Sequence, residues 1–525
     1  MHERCGRCAV QSRIHRHAPE LAMPRFAITL LATLLTFAAA AGVEDLPDIG
    51  TPADAVLTQD DEFQIGAMIV RGLRDAGRIL EDPEITEYVQ SVGSRLASHA
   101  HEGGHRFQFF VVKDSSINAF ALPGGFIGVN AGLVLATRNE SELAGVLAHE
   151  IAHVTQRHIA RGIQAQSRAN IVSTAAMLAA ILIGATVGAG GDVMQGAVAV
   201  AQGAAAQSRL NFTRANEYEA DRIGIGTLAA AGFDPNAMPT FFETLGRRAG
   251  LSGSQIPEMI QSHPVTSNRI AESRGRAAQY TVHAAPESQG YGLSRERLRL
   301  LALPAGTDPR AYYEKVLEGI EAPDDSHRYG QALSLMAAGA PEEAIPILQG
   351  LSERHDDMIQ YRSALGEAQI LAGQTNESLM TFARALELFP RNVPLTVRYA
   401  EALMRAGQAR RAHEILLDLF NTVMPTPEQC RLIALAANSA GDVADAYYYM
   451  SEYHVLGGDL MLAINQLQMA LGVPDLSEVQ RARFQARLDQ LREYLPKREA
   501  RMAGRDNPPE SGDRRSEPLQ SRLAN

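Results

Sequence analysis

His149-Glu150-Ile151-Ala152-His153 sets two imidazoles four residues apart with a carboxylate beside the first. On a helix, residues i and i+4 share a face, so both rings can reach one ion. Glu150 can then take a proton from a water that the ion polarises. Two histidines do not complete a catalytic zinc site, and a third protein ligand is expected. No His-x-x-Gly-x-x-His continuation follows, so the ligand is sought elsewhere. Within Asn211–Gly226, Glu217 and Asp221 lie four apart and face the same way, whereas Glu219 points elsewhere. Glu217 is the candidate third ligand. Asp221 is the candidate carboxylate that orients His149 or His153 and raises the basicity of its ring. The plainer alternatives are a pair of surface histidines and a solvated acidic helix face; two matching motifs in one chain argue against both.

The helix carrying the paired histidines must start near Ser141. Asn139 can cap it, and Glu142 three residues on fits a capping box. Leu143, Val146, Leu147, Ile151 and Val154 form its buried stripe, and the periodic run reaches about Gln164. Upstream, Ile65, Met68, Ile69 and Leu73, then Ile85, Val89, Val92 and Leu96, predict two helices between Glu62 and Ala97. Phe107–Lys113 is a short β-rich run. Ser116–Phe120 leads through Pro123-Gly124-Gly125 into Phe126–Asn130, which predicts a small sheet with a Pro-Gly-Gly turn. Ala131–Leu135 begins another helix.

Around this core the chain of 525 residues has room for several domains. Its composition, 46% hydrophobic and 21% charged, excludes a wholly disordered chain and a polytopic membrane protein. A formal charge of −11 argues against nucleic acid as a partner, and three cysteines exclude a disulfide framework. Residues 1–41 read as a secretory signal peptide: Arg25 precedes an uncharged run from Phe26 to Ala41 that ends in small residues. Met23 is then the expected true start, and a retained signal anchor is the alternative. Without residues 1–41 the only cysteine is Cys430. Residues 42–60 read as an extended arm. Residues 169–208 hold two uncharged Ala/Gly-rich stretches, read as a helical hairpin packed on the protein or skimming a membrane, with a membrane span as the alternative.

The second half repeats. Gly339, Gly373, Gly407 and Gly441 recur every 34 residues, each followed five positions later by a small residue, Ala344, Ser378, Ala412 and Ala446. A paired-helix tetratricopeptide-type repeat has this period, with glycine at the tight turn. Gly458 with Ala463 starts a further unit only 17 residues after Gly441, so one helix must serve the next pair.

His149-Glu150-x-x-His153 followed by Glu217-x-x-x-Asp221 resembles the zinc metallopeptidases that include the CAAX prenyl proteases and the HtpX heat-shock peptidases. The likeness is strongest to the periplasmic members of that family that end in such repeats. It begins at Leu46-Pro47-Asp48 and runs through Ile117–Ala121, Pro123-Gly124-Gly125 and His149–Ala160. The resemblance implies an α+β zincin-like (gluzincin) metallopeptidase domain at 61–285, mostly helical with a small sheet. A linker at 286–306, an all-α tetratricopeptide-repeat solenoid at 307–498 and a disordered tail at 499–525 would follow. It implies one zinc ion per chain on His149, His153 and Glu217, with Glu150 as general base. His263, in a His263-Pro264 loop, would approach zinc and hold the enzyme latent, and Arg269 would be a further site residue. Asn118–Gly125 would be the edge strand along which a substrate lies. Relatives pair two cysteines in the repeats, which the lone Cys430 cannot do. The implied activity is periplasmic endopeptidase cleavage of misfolded or stalled outer-membrane proteins. The repeats would recruit the β-barrel assembly machinery, and 169–208 would touch the membrane surface. The alternative is a mainly non-proteolytic chaperone or scaffold.

Overall fold

Thr58 and Asp82 open the first two helices. In the computed structural model, which describes residues 58–100, 106–165, 214–251, 257–281 and 288–506, α1 spans Gln59–Asp75 and α2 spans Pro83–Ala97. Thr58 Oγ1 accepts the Asp61 N–H while Asp61 accepts the Thr58 N–H, a complete capping box. Asp82 accepts the Ile85 N–H, and Pro83 sits where no donor is needed. Helix α1 thus begins inside the expected arm. The signal segment, Met23 and the arm to residue 57 lie outside the described residues.

The β-rich runs form β1 (Gln108–Val112), β2 (Ala119–Leu122) and β3 (Phe126–Asn130), in the order β1-β3-β2. β1 lies parallel to β3, Gln108 opposite Phe126; β2 lies antiparallel, Ala119 opposite Val129. Central β3 is buried along its whole length, whereas β2 pairs with β3 alone among the described residues. The connecting Gly124 and Gly125 take φ of 80° and 86°, which a side chain would resist. Helix α1 lies directly on this turn: a Cβ on Gly66 would come within 2.1 Å of the Pro123 carbonyl oxygen.

After α3 (Ala131–Ala136) comes α4 (Glu140–Thr155), which carries both motif histidines. Asn139 Oδ1 accepts the Glu142 N–H as expected. The Glu142 carboxylate, however, closes on Arg138 rather than on the cap, accepting from its backbone N–H at 2.7 Å and its guanidinium at 2.6 and 2.9 Å. Every residue from Glu142 to Thr155 is buried, so α4 is a central helix and not the one-sided stripe expected. The run towards Gln164 is also broken. Helix α4 stops at Thr155, Arg157 takes a φ of 50°, and α5 (His158–Ala165) starts afresh. The apolar stretch 169–208 lies outside the described residues; among those described, no helix is long and apolar enough to cross a membrane.

Helix α6 (Arg214–Ala230) packs along α4, and Gly224 permits the approach: a Cβ there would lie 3.2 Å from the Ala148 carbonyl. Helix α7 (Ala237–Leu251) packs on α4, where Met238 faces Gly145. The short α8 (Glu258–Ser262) ends at His263, and α9 (Ser267–Ala277) is capped by Thr266.

The expected linker at 286–306, where it is described from Ser288 onward, contains a helix. Helix α10 (Gln289–Leu301) puts Tyr291 and Leu298 into the core of the front domain and Leu293 into that of the repeats. Its Arg297 donates to Asp82 at 2.8–3.0 Å and to Glu367 at 3.1 Å, and Arg398 from the repeats donates to the same Asp82 at 2.7 Å. A helix with apolar side chains towards both cores is held too firmly to act as a tether.

Paired helices follow: Asp325–Ala337 with Pro341–Arg354, Ile359–Leu371 with Thr375–Leu388, Val393–Arg405 with Ala409–Phe420, and Pro427–Ala440 with Val443–Leu456. The four period-setting glycines all have positive φ, and Ala344, Ser378, Ala412 and Ala446 are all buried. Gly458 turns Val443–Leu456 into Leu460–Leu471, so one helix serves two pairs. That turn meets α1, with Arg71 Nη1 3.4 Å from Asp459 Oδ2. The last helix, Glu478–Asp506, continues past the boundary expected at 499, and the remaining residues lie outside those described.

Candidate metal centre

Four donor-bearing side chains from three regions converge in the front domain: His149 and His153 of α4, Glu217 of α6, and His263 just after α8. All four are buried. His149 Nε2 lies 3.1 Å from His153 Nε2, 3.5 Å from His263 Nδ1 and 3.5 Å from Glu217 Oε2. Glu217 Oε1 lies 3.5 Å from His153 Nε2 and 3.0 Å from His263 Nδ1. Ligand atoms about 2.0–2.1 Å from a tetrahedral zinc ion are themselves about 3.4 Å apart, so the cage has the right size and donor chemistry.

Proton placement agrees. His149 Nδ1 lies 3.0 Å from Asp221 Oδ1, so a carboxylate faces this nitrogen while Nε2 faces the cage. Asp221 is in turn gripped by Arg269, whose Nε and Nη2 each donate at 2.8 Å. Arg269 Nη1 also donates to the Pro264 carbonyl at 2.9 Å and lies 2.8 Å from Glu217 Oε2. One guanidinium thus ties Glu217 and Asp221 of α6 to the turn that bears His263.

Burial works against charge on His149, but Asp221 and Glu217 outweigh it and push the ring up to about 10, so a cation taken up at Nε2 would displace a proton there. His153 is held well below its ordinary value by burial and by the positive charge of His149 and His263. Burial would raise Glu217, yet His263 and His149 bring it far below the carboxylate range. Asp221 is lowered as well, Arg269 and His149 overcoming its burial. Both acids are therefore anionic donors at any physiological pH.

Glu150 differs from these groups. It is fully buried, neither carboxylate oxygen has a hydrogen-bond partner among the described residues, and His263 Nε2 lies 3.8 Å from Oε1.

All seven residues singled out from the sequence, His149, Glu150, His153, Glu217, Asp221, His263 and Arg269, thus meet in one place. The sequence reading missed His158, whose Nδ1 lies 2.9 Å from His153 Nδ1, and Glu219, which meets the far nitrogen of His158. His158 on a continuous helix would have pointed away from His153; only the break at Arg157 brings it back. A second group, His413, Asp442 and Asp445, gathers in the repeats, but Gln480 and Arg483 already hold its carboxylates.

A family model described as peptidase family M48 matches residues 83–277, and one for a tetratricopeptide repeat matches residues 369–434. The beta-barrel assembly-enhancing protease of Escherichia coli is 34% identical over 452 residues, covering 86% of this chain and 92% of its own. That of Yersinia pestis is 33% identical over 479 residues, covering 88% of this chain and 97% of its own. The mitochondrial metalloendopeptidase OMA1 of Arabidopsis thaliana is 32% identical over 192 residues, covering 37% of this chain and 36% of its own.

Proposed function

The chain belongs to the beta-barrel assembly-enhancing proteases of peptidase family M48, and from that premise we propose that it is a periplasmic zinc endopeptidase acting on misfolded or stalled outer-membrane proteins. His149, His153 and Glu217 would hold one zinc ion, with His263 as a fourth donor. When bound, zinc supplies the Lewis acidity that polarises a peptide carbonyl and lets water attack it near neutral pH. Glu150 takes the proton of the attacking water and hands it to the leaving amine. Asp221 holds His149 in the tautomer that faces the ion, and Arg269 holds Asp221.

The observation that carries this reading is Glu150. Burying a carboxylate without a donor costs several kcal/mol, which a purely structural ion site has no reason to bear. With His263 in place the four donors leave no position open, the arrangement of a closed site, so turnover requires His263 to withdraw. That supports a latent resting form. The outer edge of β2 suits pairing with an extended polypeptide backbone, which favours unfolded clients over compact ones.

The repeats supply a curved helical surface of the kind that holds protein partners, here the β-barrel assembly machinery. The signal-like segment 1–41 supports export to the periplasm, and 169–208 would supply a peripheral membrane contact. A chaperone or scaffold role in outer-membrane assembly is compatible with the repeats but leaves Glu150 unexplained.

Glu150→Gln tests the reading. The variant should retain one zinc per chain and lose casein hydrolysis by about 100- to 10,000-fold. Undiminished hydrolysis would overturn it.

A further inference from the structure

His153 has two ring nitrogens, and only Nε2 faces the metal cage. The other, Nδ1, lies 2.9 Å from Nδ1 of His158, whose ring stands at 75° to it with centroids 4.9 Å apart. His158 Nε2 lies 3.2 Å from Glu219 Oε2, and Arg161 Nη1 reaches the same oxygen at 3.2 Å. The His158 side chain is fully buried, while that of Glu219 is 27% exposed.

Donor and acceptor roles along this chain can be assigned in only one self-consistent way for neutral rings. An ionised carboxylate accepts, so Nε2 of His158 carries the hydrogen. Its Nδ1 is then the lone-pair nitrogen and accepts from Nδ1–H of His153. His153 is left with its lone pair on Nε2, the tautomer a metal ligand needs. His149 reaches the same state through Asp221. The two ligand histidines of α4 are thus oriented by two different devices, a direct carboxylate on one and an imidazole backed by a carboxylate on the other.

From this geometry we infer that His158 and Glu219 form a positioning relay that fixes the tautomer and ring orientation of His153 as a zinc ligand. The inference rests on the zinc-peptidase reading above and adds two residues to it. The left-handed turn at Arg157 exists to serve the relay: residues i and i+5 of an unbroken helix diverge by about 140°, whereas a φ of 50° at Arg157 folds His158 back beneath His153. Arg157 is itself held at the turn, its Nη2 3.3 Å from Glu62 Oε1.

The test uses the full-length exported protein and reads metal binding rather than turnover. Zinc affinity is measured by chelator competition, together with the visible absorption of the cobalt-substituted protein. His158→Leu removes the acceptor and should weaken zinc binding by about 10- to 100-fold, the usual cost of losing such an outer partner. It should also shift the cobalt bands. His158→Asn places an oxygen near the lost Nδ1 and should recover part of the affinity. Glu219→Ala, at a half-exposed position, should weaken binding in the same direction and decides the matter if His158→Leu does not fold. Unchanged affinity and spectra in the folded variants would overturn the relay, as would equal losses in the Leu and Asn variants. Failure of the wild-type chain to bind zinc would instead overturn the peptidase reading itself, so the two failures are distinguishable.

Discussion

Arg269 meets Asp221 side on, each carboxylate oxygen accepting one 2.8 Å hydrogen bond, with both side chains buried. A planar fork is required for this, and the third nitrogen is spent on Pro264 and Glu217. Arg269→Leu should lower the unfolding free energy in urea by about 3–5 kcal/mol, because it leaves buried acids unpaired. Arg269→Lys should recover only part, since an ammonium cannot span both oxygens. A lysine variant as stable as the wild type would show that the fork geometry is dispensable.

Metal removal should destabilise the front domain. A ligand present at a hundred times its dissociation constant and bound only by the folded state adds about 2.7 kcal/mol. The calorimetric Tm should therefore fall on chelation and return when zinc is restored. A Tm indifferent to chelator would count against a bound ion.

Removing the fourth donor separates latency from necessity. His263→Ala leaves His149, His153 and Glu217 in place. It should keep zinc and hydrolyse casein faster than the wild type. Equal or slower hydrolysis would show that His263 does not block the site.

Acid should loosen the joint between the front domain and the repeats. Burial pushes the Asp82 carboxyl up, but Arg297 and Arg398 hold it far below its ordinary value of 3.8. Being lowered, it contributes stability that is complete above the unfolded-state value and is lost as pH falls from about 5 through the folded-state value. Glu84 runs the other way: burial raises it, against Arg297 and Arg398, so its protonation offsets part of the loss. Urea unfolding between pH 3 and 6 should give a shallower pH dependence for Asp82→Asn than for the wild type. Identical slopes would remove Asp82 from this role.

Gly66→Ala should act on the turn beside β2. The added methyl would meet the Pro123 carbonyl oxygen, a backbone atom that cannot swing aside. A cost of about 1–3 kcal/mol is expected, with faster amide exchange at Ala119–Leu122. Unchanged exchange there would mean that α1 does not buttress the strand.

Of the candidate site residues, His149, Glu150, His153, Glu217 and Asp221 are legible because their spacing is local, four residues between His149 and His153 and four between Glu217 and Asp221, whereas His263 and Arg269 come from the family resemblance alone. The repeats were legible because a glycine with positive φ recurs every 34 residues. What escaped depends on meetings between distant segments. Glu219 leaves the helix face of Glu217, and the spacing within one helix carries no signal that His158 arrives from another. Arginine gives no signal for a left-handed turn, so the break at Arg157 was invisible. Gln289–Leu301 read as a linker because its apolar residues divide between two cores. Asp82, Glu84, Arg297 and Arg398 gave no warning, since charges in a sequence are ordinarily assigned to solvent. The parallel pairing of β1 with β3 skips a strand, and no local pattern encodes it.

The front domain meets the array near the start of α2, where Asp82 and Glu84 both take Arg398, and again where Arg71 lies against the turn at Asp459. A coil fastened at two points has a fixed number of windings. Inserting or deleting one 34-residue unit between Arg398 and Asp459 would carry the second fastening out of reach, so this array is not free to lengthen as open solenoids are. For the same reason, the array could not uncoil without first breaking one of these fastenings.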